Sequence, residues 1–144
     1  MEESNFKYRL KDCEHLDVGG SVQWLDTDDF LKRNPKMKRL HLEDLPGEQI
    51  NDLLKQWING EGIDLKNMLF FNSTGYPDDV IFDGIVTMET KLTEEQAKHM
   101  FGDWDVGGIT VDIQRQIDGQ VATVHINSEG CFIEKWSEER LDEL

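Results

Sequence analysis

The side chains able to do chemistry are scattered along this chain, not grouped. Histidines stand at positions 15, 41, 99 and 125. None falls in the H-x-H or H-x-x-x-H spacing that would preload a metal. Each is expected to be a solvent-facing or hydrogen-bonded imidazole. Asp26, Asp28 and Asp29 are spaced like the opening of a calcium loop. Phe30 and Leu31 then stand where such a loop needs an oxygen ligand and a glycine. Asp78-Asp79 and the Asp103/Asp105 pair would serve as general acid and base only if the fold set them about 5 to 10 Å apart across a cleft. Gly19-Gly20 and Gly107-Gly108 are doublets, without the spacing of a phosphate-cradling loop. G-x-S-x-G is absent, so no hydrolase elbow is visible. The residues therefore predict no enzyme, no metal and no cofactor.

Aromatic residues carry more promise for binding. Of the four tryptophans, Trp24, Trp57, Trp104 and Trp136, Trp104 lies in the polar, glycine-bracketed stretch G-D-W-D-V-G-G. A tryptophan so placed either anchors a partner, since aromatics dominate interface hot spots, or caps the end of a core.

Bulk properties narrow the class. With 144 residues the chain has material for one domain with a real core. The expected layout is a single domain over 1–144. It comprises a βα part over about 13–102, a β part over about 107–136 and a charged tail at 137–144. Apolar residues make up 38% and charged residues 31%, as in ordinary soluble proteins. No apolar run approaches the roughly 20 residues of a membrane span. MEESNFKYRL has no apolar signal region, and the final LDEL reads as an acidic terminus. Cys13 and Cys131 form no C-x-x-C, so both are expected to be reduced thiols in an intracellular protein, cytoplasmic or nuclear. A net charge of −15 argues against nucleic acid and anionic membrane, whose phosphates need Lys and Arg. It permits a basic protein partner reached by electrostatic steering.

The elements that would position these residues begin with a repeat. C-E-H-L-D-V from Cys13, M-K-R-L-H-L from Met37 and L-K-N-M-L-F from Leu65 share one apolar pattern. Equivalent positions are Cys13, Met37 and Leu65; Leu16, Leu40 and Met68; Val18, Leu42 and Phe70. Offsets of 24 (37 − 13) and 28 (65 − 37) suit leucine-rich-repeat-like units of one strand and one helix. Between them, Ile50, Leu53, Leu54, Trp57 and Ile58 form one helical stripe. Pro46 stands near its start and Gly60 just past its end. Asp26 to Asp29 predict an acidic start for a short helix holding Phe30 and Leu31, closed by Pro35. Thr93 and Gln96 predict a capping box for a helix over 93–101. STGYPDD reads as a turn-rich loop, and Asn72-Ser73-Thr74 as a turn within it. Residues 80 to 85 predict a helical turn and 86 to 91 a strand.

The period then changes. Ile109, Val111 and Ile113 alternate with polar residues, and so do Ala122, Val124 and Ile126. Asp118-Gly119 between them predicts a two-residue hairpin turn. That turn sets Ile113 opposite Val124 and Val111 opposite Ile126, with both apolar sets on one face. C-F-I-E-K-W supplies a third strand. The fold class is α/β, in the mixed α+β sense: βα units followed by a three-stranded antiparallel meander.

One ordered set of segments resembles a known family. N-D-L-L-K-Q-W-I-N-G-E-G with its following strand, V-I-F-D-G-I, the hairpin G-G-I-T-V-D-I-Q-R-Q-I-D-G-Q-V-A-T-V-H-I and a last strand ending in Trp136 occur in this order. They resemble the type 2 F-box-associated domain found C-terminal to the F-box in nematode F-box proteins. The hairpin residues that carry the likeness are Asp112, Ile113, Arg115, Asp118, Gly119, Ala122, Thr123 and Val124. The likeness covers roughly residues 12 to 136. It implies a substrate-recognition module of a Skp–cullin–F-box ubiquitin ligase, with a ubiquitylation substrate as protein partner. The family carries an F-box before this region, and here only a short segment precedes the first strand. A Skp-type adaptor is therefore expected only if an F-box lies upstream. The candidate partner contacts are His41, Glu43, Tyr76 and Trp104. The competing expectation is an acidic inhibitor or immunity-type protein that blocks a basic partner.

Overall fold

Strand and helix alternate through the first half of the chain, and strands dominate the second. The order is β1 (His15–Val18), α1 (Phe30–Arg33), β2 (Arg39–Glu43), α2 (Gly47–Ile58), β3 (Asn67–Phe71), α3 (Asp78–Ile81), β4 (Met88–Glu89), α4 (Glu94–Phe101), β5 (Ile109–Gln114), β6 (Val121–Asn127) and β7 (Gly130–Lys135). This computed structural model describes residues 11–20, 22, 25–101 and 108–136. Trp24, Asp103, Trp104, Asp105, Gly107 and the tail at 137–144 lie outside them. Among the described residues the architecture is mixed α+β: one seven-stranded sheet, ordered β1-β2-β3-β7-β6-β5-β4, and four helices.

The repeat spacing becomes strand register. β1, β2 and β3 are parallel, with Leu16 beside Leu40 and Leu40 beside Met68, then Val18 beside Leu42 and Leu42 beside Phe70. These are the pairs set by the 24- and 28-residue offsets. Leu40, Leu42, Met68 and Phe70 are fully buried beneath Phe30 and Leu31 of α1, Ile50, Leu53, Leu54 and Trp57 of α2 and Ile81 of α3. Helix α2 therefore folds onto the sheet along the apolar stripe read from its sequence. It ends where Gly60, at φ 103°, donates its N–H to Trp57 O and Glu61 donates to Gln56 O, a glycine-dependent C-terminal cap. The capping box of α4 forms as the sequence predicts. Gln96 N donates to Thr93 Oγ1 at 3.1 Å and Thr93 N to Gln96 Oε1 at 2.9 Å.

The short helix starts behind the acidic run as the sequence predicts, with Asp29 in the N-cap position at φ 52° but without a side-chain cap bond. Gln56 of α2 does the work instead, accepting from Leu31 N at 2.9 Å and donating to Thr27 O at 3.0 Å. A side chain reaching from a packed helix satisfies the orphan donor, which local sequence does not reveal. The turn expected at residues 80 to 85 lies at Asp78–Ile81, behind Pro77. The strand expected over 86 to 91 shrinks to Met88–Glu89. The hairpin has a four-residue loop, Gln116 to Gly119, and not a two-residue turn. Its register pairs Ile113 with Ala122, Val111 with Val124 and Ile109 with Ile126. Arg115 N donates to Gln120 O and Gly119 N to Arg115 O. Asp118 Oδ1 accepts from Gln120 N and from Arg115 Nε, which holds the wider loop. The slip is two residues, so every side chain keeps its face.

The antiparallel part is also no separate meander. β7 pairs with β3, setting Met68 beside Ile133 and Phe70 beside Cys131, and β4 adds to the far edge through β5. One core cluster therefore contains Leu40 and Phe70 together with Val124, Cys131 and Ile133. Cys131 is completely buried, and burial pushes its thiol up, holding it neutral.

Gly130 makes the β3–β7 seam possible. A Cβ there would drive into the Phe70 carbonyl oxygen and press on the Phe132 ring. Gly130→Ala is expected to cost about 3 kcal/mol, the upper range for forced overpacking. Urea unfolding measures it. A cost near zero would show that the seam tolerates separation.

Candidate functional site

The sheet's two faces are covered unequally. One lies under α1, α2 and α3 along its length. On the other, the register produces a cross-strand row: Asp17, His41, Leu69, Phe132, His125 and Thr110. A second row runs His15, Arg39, Asn67, Glu134, Thr123, Asp112 and Met88. Both rows pass from wet to dry along their length.

The dry end lies under α4. Leu92, Met100, Phe101 and Phe132 form a second apolar cluster, with Leu69 and Trp136 packed against it. The Phe101 ring stacks on buried His125 at 5.4 Å, and His125 Nδ1 lies 2.7 Å from Thr110 Oγ1. Buried Asp112 accepts from Thr123 Oγ1 at 2.7 Å and from Lys91 N at 3.0 Å. Trp136 Nε1 donates to the same Thr123 hydroxyl at 2.8 Å. These bonds fasten the segment before α4 and the end of β7 to the sheet. The carboxylate is engaged by structural donors on both oxygens.

The wet end is open. His15, Asp17, Arg39 and Glu43 are exposed, and His41, Asn67 and Leu69 half-buried. His41 Nε2 lies 3.2 Å from Asn67 Oδ1, and its Nδ1 3.8 Å from Asp17 Oδ2. Glu43 takes a hydrogen bond from Gly20 N and so ties down the loop after β1. Phe71, 41% exposed, meets the Phe132 ring edge-on at 5.3 Å. A ledge of Leu69 and Phe71 thus separates the polar strip from the roofed half.

The structure distributes the four sequence-derived candidates unevenly. His41 and Glu43 share this open face, two residues apart on β2. Tyr76 sits elsewhere: its ring packs beside the helix-covered core, and its hydroxyl donates to Leu45 O at 2.7 Å. Trp104 lies outside the described residues. Trp57 is a core residue as its stripe implied, 2% exposed. Leu69 and Phe71 were missed as site residues. Their signal was legible: L-K-N-M-L-F-F carries apolar residues on both faces, although among the described residues only the cluster at the end of α4 reaches one of them. Among the described residues, no three His, Cys, Asp or Glu side chains gather as metal ligands. No helix among them is long and apolar enough to cross a membrane. No protein-family model, curated protein or solved structure matches the chain.

Tyr76 gives a direct check on its placement. Desolvation by burial pushes its hydroxyl up from 10.0 to about 12. The folded state therefore keeps a proton that the unfolded chain releases first, so stability falls as pH rises from about 10 towards 12. Tyr76→Phe is expected to cost about 1 kcal/mol at neutral pH, because Leu45 O loses its donor. It should also flatten the alkaline decline of the thermal midpoint. An unchanged slope would contradict the buried hydroxyl.

Proposed function

We propose that this chain is a protein-binding module, not an enzyme, and that its docking face is the open half of the sheet over β1, β2 and β3. One observation carries the reading: a continuous row of side chains is roofed by α4 at one end, reaches the edge of that cluster at half-buried Leu69, and is left uncovered by the described residues at Asp17 at the other. Asp112, Thr123 and His125 at the roofed end are engaged in structural hydrogen bonds. The uncovered end offers both an apolar ledge, Leu69 and Phe71, and hydrogen-bonding groups, His41 and Glu43. Interfaces combine these two elements, an apolar centre and a polar rim.

The three register-matched βα units are read as leucine-rich-repeat-like, since stacked repeats present extended surfaces of this kind. The resemblance to F-box-associated domains supplies the partner class, a ubiquitylation substrate. A Skp-type adaptor would enter only through an F-box encoded upstream. Tyr76, which lies away from the open face, and Trp104, outside the described residues, stay in the reading as candidate contacts taken from the sequence. The intracellular setting, cytoplasm or nucleus, is part of the same proposal.

The net charge of −15 favours a second reading, an acidic inhibitor of a basic protein. The open face itself is mixed in sign, with Asp17, Glu43 and Glu134 beside Arg39. That mixture favours the first.

A photocrosslinking residue placed at Glu43 is expected to capture a partner in cells, and the same residue at exposed Glu48 on α2 to capture none. With that partner purified, His41→Ala and Phe71→Ser should each weaken binding about tenfold or more, about 1.4 kcal/mol. Their thermal midpoints should stay near wild type. Capture from position 48 alone, or full affinity in both variants, would defeat the proposal. Affinity that collapses in high salt while ignoring Phe71→Ser would favour the acidic inhibitor.

A further inference from the structure

We propose that strand β1 pairs with β1 of a second copy of this chain, antiparallel and about a twofold axis at Leu16, so that two sheets join into one. Among the described residues β1 is an outer strand of the sheet, and its one strand partner is β2. The opposite outer strand, β4, is cut short at two residues, Met88–Glu89. β1 runs over four, His15–Val18. It carries neither the proline nor the lysine that commonly blunts an exposed edge.

The hydrogen bonds fix which backbone groups of β1 face outward. Glu14 O accepts from Lys38 N at 2.7 Å, so residue 14 points towards β2. Backbone direction alternates along an extended strand, as side-chain direction does. Leu16 therefore also points towards β2, and His15 and Asp17 point away from it. His15 O accepts from the Cys13 thiol at 3.1 Å, a weak donor that a main-chain N–H displaces. Outward-facing residues are the ones that antiparallel strands set opposite each other in narrow pairs, each pair exchanging both of its N–H···O bonds.

Side chains then select the register. With the axis at His15, imidazole faces imidazole. With the axis at Asp17, carboxylate faces carboxylate. With the axis at Leu16, each His15 faces Asp17 of the second copy. Opposite partners directly across a strand pair stabilise it and like charges destabilise it. Both residues are exposed. The Asp17 carboxylate, 83% exposed, makes one long approach of 3.8 Å to His41 Nδ1 and has room for a further partner. On the helix-covered face, Leu16 and Val18 pack against the core yet stay half-buried. The same axis lays Leu16 against Leu16 and covers that apolar margin.

The joined sheet keeps both open faces on one side, so the row of Asp17, His41 and Leu69 continues into its counterpart. The pairing stands independently of the docking reading, because it involves the strand edge and needs no other protein. A short edge contact makes a small interface, and such interfaces are weak and transient. The net charge of −15 on each copy adds repulsion, screened beyond about 8 Å at physiological salt.

Sedimentation equilibrium of the full chain at physiological salt, up to about 1 mM, tests the association. Wild type is expected to pass from monomer towards dimer as concentration rises. Amide hydrogen exchange over the same range locates the contact. The His15 and Asp17 N–H groups should exchange at least tenfold more slowly in the concentrated sample, while Leu16 N–H, already facing β2, should not change. His15→Asp sets two carboxylates opposite each other, and Asp17→Arg sets a cation opposite the imidazole. Each should weaken dimerisation at least tenfold with the thermal midpoint near wild type, since both positions are exposed. An equal mixture of the two variants restores opposite charges in the mixed pair and should dimerise where neither does alone. A monomer at about 1 mM overturns the proposal. So does a dimer in which the His15 and Asp17 amides stay unprotected, or one that both substitutions leave unchanged. A mixture that associates no better than its components rules out the register at Leu16 and with it the proposal.

Discussion

The pairing of β3 with β7 is the constraint on which the rest of the structure depends. A parallel three-stranded unit from the first half and an antiparallel unit from the second would each expose an edge. Unpaired N–H and C=O groups there invite pairing with other chains. Bringing the last strand back against β3 removes both edges at once. It also sets Phe70 beside Cys131 and Met68 beside Ile133, so that two apolar surfaces become one core. Such a closure joins residues 59 (130 − 71) to 67 (134 − 67) positions apart in sequence. Its loop-closure cost is recovered only when the interior packs. Gly130 sits where this seam starts, and its missing side chain lets the two backbones approach.

Unequal covering of the sheet follows from the same closure. With β7 seated between β3 and β6, the side chain of Phe132 projects beside Leu69 and shares the cluster of Met100 and Phe101. Helix α4 is eight residues long, Glu94 to Phe101. At about 1.5 Å per residue it spans roughly 12 Å, while strands stand about 4.8 Å apart. It can shelter two or three strands and no more. The strands furthest from it, β1 and β2, keep polar and charged residues at His15, Asp17, Arg39 and Glu43 because water remains their neighbour. Leu69 and Phe71 lie at the boundary between the two regimes, where apolar surface begins but the roof stops. A partner that covered the open half would extend the dry region by the same chemistry that α4 uses.

Much of this was legible in the sequence, and the reasons differ by element. The parallel register could be read because equivalent apolar residues recur at fixed offsets and each must face the same core. Helix α2 could be read because a stripe at helical spacing, a nearby proline and a following glycine agree. The hairpin loop was misjudged by two residues, yet its faces were right, since strand side chains alternate with period two. Three features were hidden. Gln56 caps α1 across a tertiary contact, and no local motif records that. The β3–β7 pairing joins segments with no shared signature. Arg115 reads as one polar residue in a hairpin until the fold lays Trp57 beneath it.

The placement of Arg115 connects the two halves of the argument. In the hairpin, Asp118 folds back to its Nε and keeps its carboxyl below the usual carboxylate range, chiefly through that hydrogen bond. The four-residue loop that displaced the expected tight turn is therefore the loop that orients this cation. Its stacking on Trp57 fixes the hairpin against α2, an element of the opposite half of the sheet. A guanidinium used only for this purpose would be better served by a second acceptor or by exposure of its outer nitrogens. The hairpin instead buries Nη1 without a hydrogen-bond partner. The packing that joins hairpin to helix has thus left this cation with one buried donor unmet.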